Sequence, residues 1–180
     1  MSKKESLEER RANLIIKYRK LKLEKREEEG SKLIYRLTDP KGSPIIMHGI
    51  LGQKTIGISY IRELKEMVEK EGAEKGILVG AGKYTYSARS EAEKEHIELI
   101  PPTLPTFDIF EHKLVPLHEI VPEEDVEEIT KRFHAQPFQF PWIKSSDPIS
   151  IILGAKAGSV LKVTQKSQTA GTAISYRYVV

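Results

Sequence analysis

Apolar and polar positions along this chain change period several times, and the changes mark out its elements. In residues 5–29, Leu7, Leu14, Tyr18 and Leu21 recur at steps of seven, four and three with charges around the rest. That predicts one amphipathic helix stopped by Gly30. "KLIYRLTD" and "PIIMHGIL" then read as the two strands of a hairpin, turned by "PKGSP". Helical period returns in "SYIRELKEMVEKEG", where Ser59 is the expected cap, Ile61, Leu64 and Val68 line one face and Gly72 ends the helix. A short apolar strand "KGILVG", a helix "YSARSEAEKE" and a strand "HIELI" follow. This alternation predicts an α/β first half with at least part of its sheet parallel.

"PPTLPT" carries three prolines in six residues, which forbids helix and predicts a stiff extended connector. The domain boundary is therefore expected near residues 101–110. Beyond it, "HKLVPLHEIV" is extended and holds a proline, as suits an edge strand. "PEEDVEEITKRF" reads as a helix with proline first, acids Glu123, Glu124 and Asp125 in its first turn and Lys131 and Arg132 in its last, an order that counters the helix dipole. "AQPFQFPWIKSS" is a proline-aromatic loop holding the one tryptophan. In "DPISIILG", Asp147 is the expected cap, Pro148 the first helical residue and Gly154 the left-handed stop. "AKAGSVLKVTQK" supplies a turn at Gly158 and a strand, paired through "SQTAG" with a terminal strand. In that last strand Ile174, Tyr176, Tyr178 and Val180 share one parity, while Ala173, Ser175, Arg177 and Val179 share the other.

Composition narrows the function. The 180 residues are 39% apolar and 31% charged, with a net charge of +3, no run long enough to span a membrane and no apolar leader in "MSKKESLEERR". A cytosolic or nuclear protein is expected. The absence of cysteine excludes disulfides, thiolate ligands and cysteine nucleophiles. Residues 10–26 hold eight basic side chains against Glu24 alone, a pattern that suits either phosphates or a solvated helical face.

Catalytic motifs are missing. Among His48, His96, His112, His118 and His134, only His112 and His118 lie near one another, and no further ligands accompany them. "GAGK" at residues 80–83 lacks the length and the Ser/Thr of a phosphate loop and reads as a turn. A metal-dependent nuclease needs paired carboxylates and a lysine on neighbouring strands. Asp39 and Glu98 are the candidates, and neither sits in an acid-x-lysine strand pattern.

The second half carries a resemblance. "LVPLHEI", "DP" with a short helix to Gly154, Gly158 and Lys162 in "G-x-V-x-K-V", "S-x-TAG" at residues 167–171 and "YRYVV" follow in order over about seventy residues. Together they strongly resemble the H-type subunit of archaeal DNA-directed RNA polymerase and the C-terminal part of the fifth subunit common to the eukaryotic nuclear polymerases. The pattern "YIRELKEMVEKEGAEKGILVG...YSAR" is similar to the N-terminal domain of the eukaryotic-type subunit. Two departures remove charge: Ile149, Ser150 and Ile151 follow the DP pair where an arginine is usual, and Gln165 stands at another arginine position.

The resemblance implies an α/β plus α+β protein. It would comprise a restriction-endonuclease-like jaw domain at 1–104 with a charged N-terminal helix, a linker at 105–110, and a small mixed α/β assembly domain at 111–180. It further implies a non-catalytic polymerase subunit without cofactor or metal. The C-terminal domain would dock on the largest subunit, among other polymerase subunits, through Asp147, Pro148, Gly158, Thr169, Ala170, Gly171 and Arg177. The N-terminal domain would lie near downstream double-stranded DNA in weak, non-specific contact, with Arg10, Arg11, Lys17, Arg19 and Lys20 closest. No membrane is implied; the location is cytoplasmic for an archaeal host and nuclear for a eukaryotic one. The competing expectation is a stand-alone nucleic-acid-processing enzyme of endonuclease-like fold.

Overall fold

In the computed structural model, which describes residues 5–167 and 171–180, the chain divides after Phe107 into two units. The first is organised by its most apolar segment. β3 (Pro44–Ile50) is buried over residues 45–50, so it needs cover on both faces and partners on both edges. β2 (Lys32–Thr38) pairs one edge antiparallel through the predicted hairpin, and β5 (Lys75–Gly80) pairs the other parallel. With β1 (Lys22–Glu29) outside β2 and β7 (Glu98–Ile100) outside β5, the order is β1-β2-β3-β5-β7. Two crossover helices, α2 (Ile58–Glu71) and α3 (Tyr86–Lys94), make the parallel half possible. They cover one face, where Ile61, Leu64, Ala88 and Ala92 meet Ile34, Ile46, Ile50 and Leu78. α1 (Leu7–Tyr18) covers the opposite parity, where Leu33, Tyr35, Met47 and Ile77 are buried.

Residues 5–29 are not one helix. α1 ends at Tyr18, Lys20 takes a left-handed φ of 56°, and "KLEKREEE" becomes β1. Nothing in those eight residues favours a strand locally; the ladder to β2 imposes it. Two smaller corrections concern caps. Gly57, not Ser59, caps α2, and Pro122 stands at the cap position of α4 (Glu123–Phe133) rather than inside it.

Two short strands, β4 (Thr55–Ile56) and β6 (Lys83–Tyr84), pair parallel to each other and explain "GAGK". A Cβ on Gly82 would stand 2.3 Å from the Gln53 carbonyl oxygen, so only glycine lets the two backbones approach.

The second unit is a four-stranded sheet in the order β8-β10-β11-β9, made of β8 (Leu117–Ile120), β10 (Val160–Ser167), β11 (Gly171–Val179) and β9 (Trp142–Ile143). The β10–β11 hairpin is antiparallel as the terminal pattern predicts, and β9 joins β11 in parallel over two residues. α5 (Pro148–Leu153) follows its sequence grammar: the Asp147 carboxylate accepts from the Ile149 amide at 2.9 Å, and Gly154 closes the helix at φ 75°.

Two buried polar side chains shape the first unit. Arg11, buried on α1, donates from Nε to the Leu104 carbonyl at 2.8 Å, from Nη1 to Gly80 at 3.1 Å and from Nη2 to Pro102 at 2.6 Å. One guanidinium thus binds the end of β5 to the proline segment, and Leu104 is buried beside it. His48 is fully buried on β3 with neither ring nitrogen hydrogen-bonded. Burial pulls its pKa down to about 4, with Glu63 pulling it back up and Lys32 pushing it further down.

Arg11→Met keeps the stem but strands three carbonyls, and is expected to lower unfolding stability by roughly 2–4 kcal/mol, read by denaturant titration. His48 gives a pH dependence. Its folded pKa is depressed, so the unfolded chain takes the proton first as pH falls below the ordinary value of 6.5. The contribution is complete above that pH and is lost on acidification toward pH 4, about 3 kcal/mol in the limit. His48→Leu is expected to flatten the stability profile across this window.

Candidate functional site

The first unit holds its candidate catalytic groups in structural work. One Asp39 carboxylate oxygen accepts the Lys41 and Ser43 amides, both at 2.8 Å, and closes the β2–β3 turn. Both Glu98 oxygens take the Arg19 guanidinium, at 2.8 and 2.5 Å. Glu98 is thus engaged through both of its oxygens and Asp39 through one. Among the described residues no three His, Asp or Glu side chains gather as a metal site. His112 is exposed outside β8 while His118 is buried on it, so the two do not share a strand face.

The five cations expected near DNA separate into two groups. Arg10, Lys17 and Lys20 are exposed on or just after α1. Arg11 is spent on three carbonyls inside the unit, and Arg19 is paired with Glu98. Arg11 is thus corrected from a surface cation to an internal one. The signal that would separate them is helical phase: Arg11 shares the inward face with Ala12 and Ile15.

Exposed apolar surface is concentrated in the second unit. Trp142 is 66% exposed, Phe138 59% and Ile174 51%, with Leu114, Leu117 and Phe133 also open. The Trp142 indole donates to the Phe138 carbonyl at 2.9 Å, which holds its ring outward on a fixed loop. Phe133, Phe140 and Tyr176 form a mutual aromatic contact with centroids 5.5 to 6.1 Å apart. Tyr176 and Tyr178 are half-buried there against α4, as their shared parity predicts.

The other face of the sheet carries an open groove of about 470 Å³. His118, Val163, Gln165, Ser175 and Arg177 form its floor, with Trp142, Lys144, Asp147 and Ile149 among its walls. Register explains the floor: Val163 pairs with Ser175 on one side and His118 on the other, so all three point the same way. Burial holds the His118 pKa below the usual histidine value. Its Nδ1 lies 2.9 Å from the Pro116 carbonyl, which only accepts, so Nδ1 bears the proton and Nε2 is an acceptor.

Of the residues expected at a partner surface, the fold brings Asp147 and Arg177 into this groove, and Gln165 with them. Pro148 is exposed at the start of α5. Gly158 forms an exposed turn at φ 94°, its amide bound to the Val179 carbonyl. Gly171 opens β11, while Thr169 and Ala170 lie outside the described residues. Sequence patterning does not single out Trp142 and Phe138 as surface residues; the signal they leave is a proline-rich loop with three aromatic rings and no neighbouring apolar period.

Comparison with known proteins divides the chain in the same way. Residues 107–179 match the family "RNA polymerase Rpb5, C-terminal domain", and residues 17–103 match the family "Restriction endonuclease". The chain is 51% identical over 74 residues to DNA-directed RNA polymerase subunit Rpo5 of Thermococcus celer, covering 41% of this chain and 90% of that protein. It is 50% identical over 72 residues to the Rpo5 of Methanocaldococcus jannaschii, covering 40% and 92%. For the Rpo5 of Sulfolobus acidocaldarius the identity is 44% over 73 residues, covering 41% and 87%. Among solved structures, that of EndoMS in apo form aligns with a TM-score of 0.41 and 24% identity over 54% of this chain and 46% of that one.

Proposed function

The chain belongs to the Rpo5 (Rpb5) family of DNA-directed RNA polymerase subunits, and from that premise we propose a division of labour between its two units. As an archaeal-type subunit it serves transcription without a reaction of its own, and its partners include other polymerase subunits. The second unit docks on the largest of them. The observation that carries this reading is the cluster of exposed aromatic and aliphatic side chains on a unit of only seventy-odd residues, at which the family match lies. A free domain gains nothing by holding Trp142 outward, whereas a buried anchor at an interface does.

The first unit lies beside duplex DNA. Its endonuclease-type sheet supplies shape, its candidate acids are committed internally, and Arg10, Lys17 and Lys20 present exposed cations to phosphates. Such contact is sequence-independent and salt-sensitive. Cleavage by a stand-alone nuclease is not favoured, because Arg19 takes both Glu98 oxygens and Asp39 closes its own turn through one oxygen.

Reconstitution of the polymerase with this chain is expected to incorporate it in equal stoichiometry with the large subunits, and Trp142→Ala to weaken retention by roughly tenfold or more. Recovery of the wild-type chain only as a free protein overturns the reading. Replacing Arg10, Lys17 and Lys20 together by alanine is expected to leave assembly intact. The salt-dependence slope of DNA binding by the assembled polymerase should fall by about 2–3 if each cation meets one phosphate. An unchanged slope removes the DNA role of this surface.

A further inference from the structure

We propose that the outer edge of β11 receives an extended strand from the largest polymerase subunit, so that docking occurs by β-strand addition. This rests on the docking reading above and specifies how the contact is made. The hydrogen-bond phase of β11 shows which groups are on offer. The Val179 amide donates inward to the Ser159 carbonyl, while the Tyr178 amide donates outward to Pro141, both at 2.9 Å. Odd-numbered residues therefore face β10 and even-numbered residues face the outer edge. On that edge β9 pairs only with Tyr178 and Val179. Upstream of β9, Pro141 and the 3₁₀ turn Pro137–Gln139 break the extended backbone, so this segment stays near β11 without continuing the strand pairing. Residues 171–175 are exposed and, among the described residues, have no strand partner on that side. The amides and carbonyls of Thr172 and Ile174 point outward there.

Among the described residues, the edges at β1, β7 and β8 are guarded or short. β1 carries seven charged residues in eight and a register shift between Leu23 and Lys25, both of which hinder pairing. β7 has three residues, and β8 has four and follows Pro116. Residues 171–176 of β11 hold no charge, no proline and no bulge. An unguarded edge of this kind invites a strand.

The two faces beside the edge say what that strand carries. Ile174 pairs with Thr164, which pairs with Leu117, so one face offers two exposed aliphatic side chains flanking a threonine. The opposite face opens on the groove, where Arg177 and Lys144 outnumber Asp147. An added strand alternates its side chains between these faces. The matching segment therefore alternates apolar residues with acidic or polar ones over about five positions.

The test uses the full chain and polymerase reconstituted from its remaining subunits. Ile174→Pro removes an outward amide and no hydrogen bond to β10, while Ile174→Thr keeps the amide and trims one of the two aliphatic side chains. Retention of the proline variant is expected to fall roughly tenfold or more, with the threonine variant affected much less. Retention of Ile174→Pro at the wild-type level overturns the proposal while leaving subunit membership intact. Failure of the wild-type chain to assemble overturns the docking reading itself. Should Ile174→Pro unfold, amide exchange on the wild-type chain decides. The Thr172 and Ile174 amides become protected on assembly, whereas those of Ala173 and Ser175 are protected already in the free chain. No change at Thr172 and Ile174, or their protection in an isolated chain that sediments as a dimer, overturns it.

Discussion

The β10–β11 ladder supports everything the second unit offers to a partner. Eight residue pairs, from Val160 with Tyr178 to Ser167 with Gly171, set one register. That register places Tyr176 and Tyr178 on α4 and, by the same alternation, Ser175 and Arg177 in the groove. A slip of one residue would exchange the two sets, burying a guanidinium in an aromatic cluster and exposing two rings. Two inward constraints pin the register: Val179 is fully buried, and its amide and carbonyl are held by Ser159 and Gly158.

The first unit solves a different problem. Its proline segment has no ladder to hold it, so a single charged side chain holds it instead. Three carbonyls around one guanidinium form a cradle that keeps Arg11 charged although burial lowers its pKa, Glu8 being the principal charge pulling it back up. Tyr84 performs a similar task nearby, its hydroxyl 2.8 Å from the Ile100 carbonyl and 3.2 Å from that of Leu78. The strands carry the apolar core, and the polar pins decide where the irregular backbone goes.

Which parts were legible in the sequence follows from how local their causes are. The β2–β3 hairpin, the crossover helices and the Asp147, Pro148 and Gly154 grammar of α5 have causes within a few residues, and the structure has them as read. β1 reads as helix because its charged residues are good helix formers, and the ladder to β2 that overrides them is tertiary. Arg11 looks like a surface cation because its acceptors lie 69 to 93 residues away. The groove was half legible: Arg177 and Asp147 came from the resemblance, whereas Trp142 needed the fold to show that its ring points outward.

The two units also differ in how they treat the same hazard. A sheet edge exposes a row of donors and acceptors that costs little in water and pairs readily with any extended chain. Across β1, charges of both signs tie themselves to neighbours, Lys25 to Glu27 and Arg26 to Glu9, so an incoming strand would have to break ion pairs. Along β11 nothing similar stands in the way. Charge was available for the purpose, since 31% of the chain is charged, yet residues 171–176 have none. The contrast between a long edge that is guarded and one left bare is what the proposal of an incoming partner strand rests on.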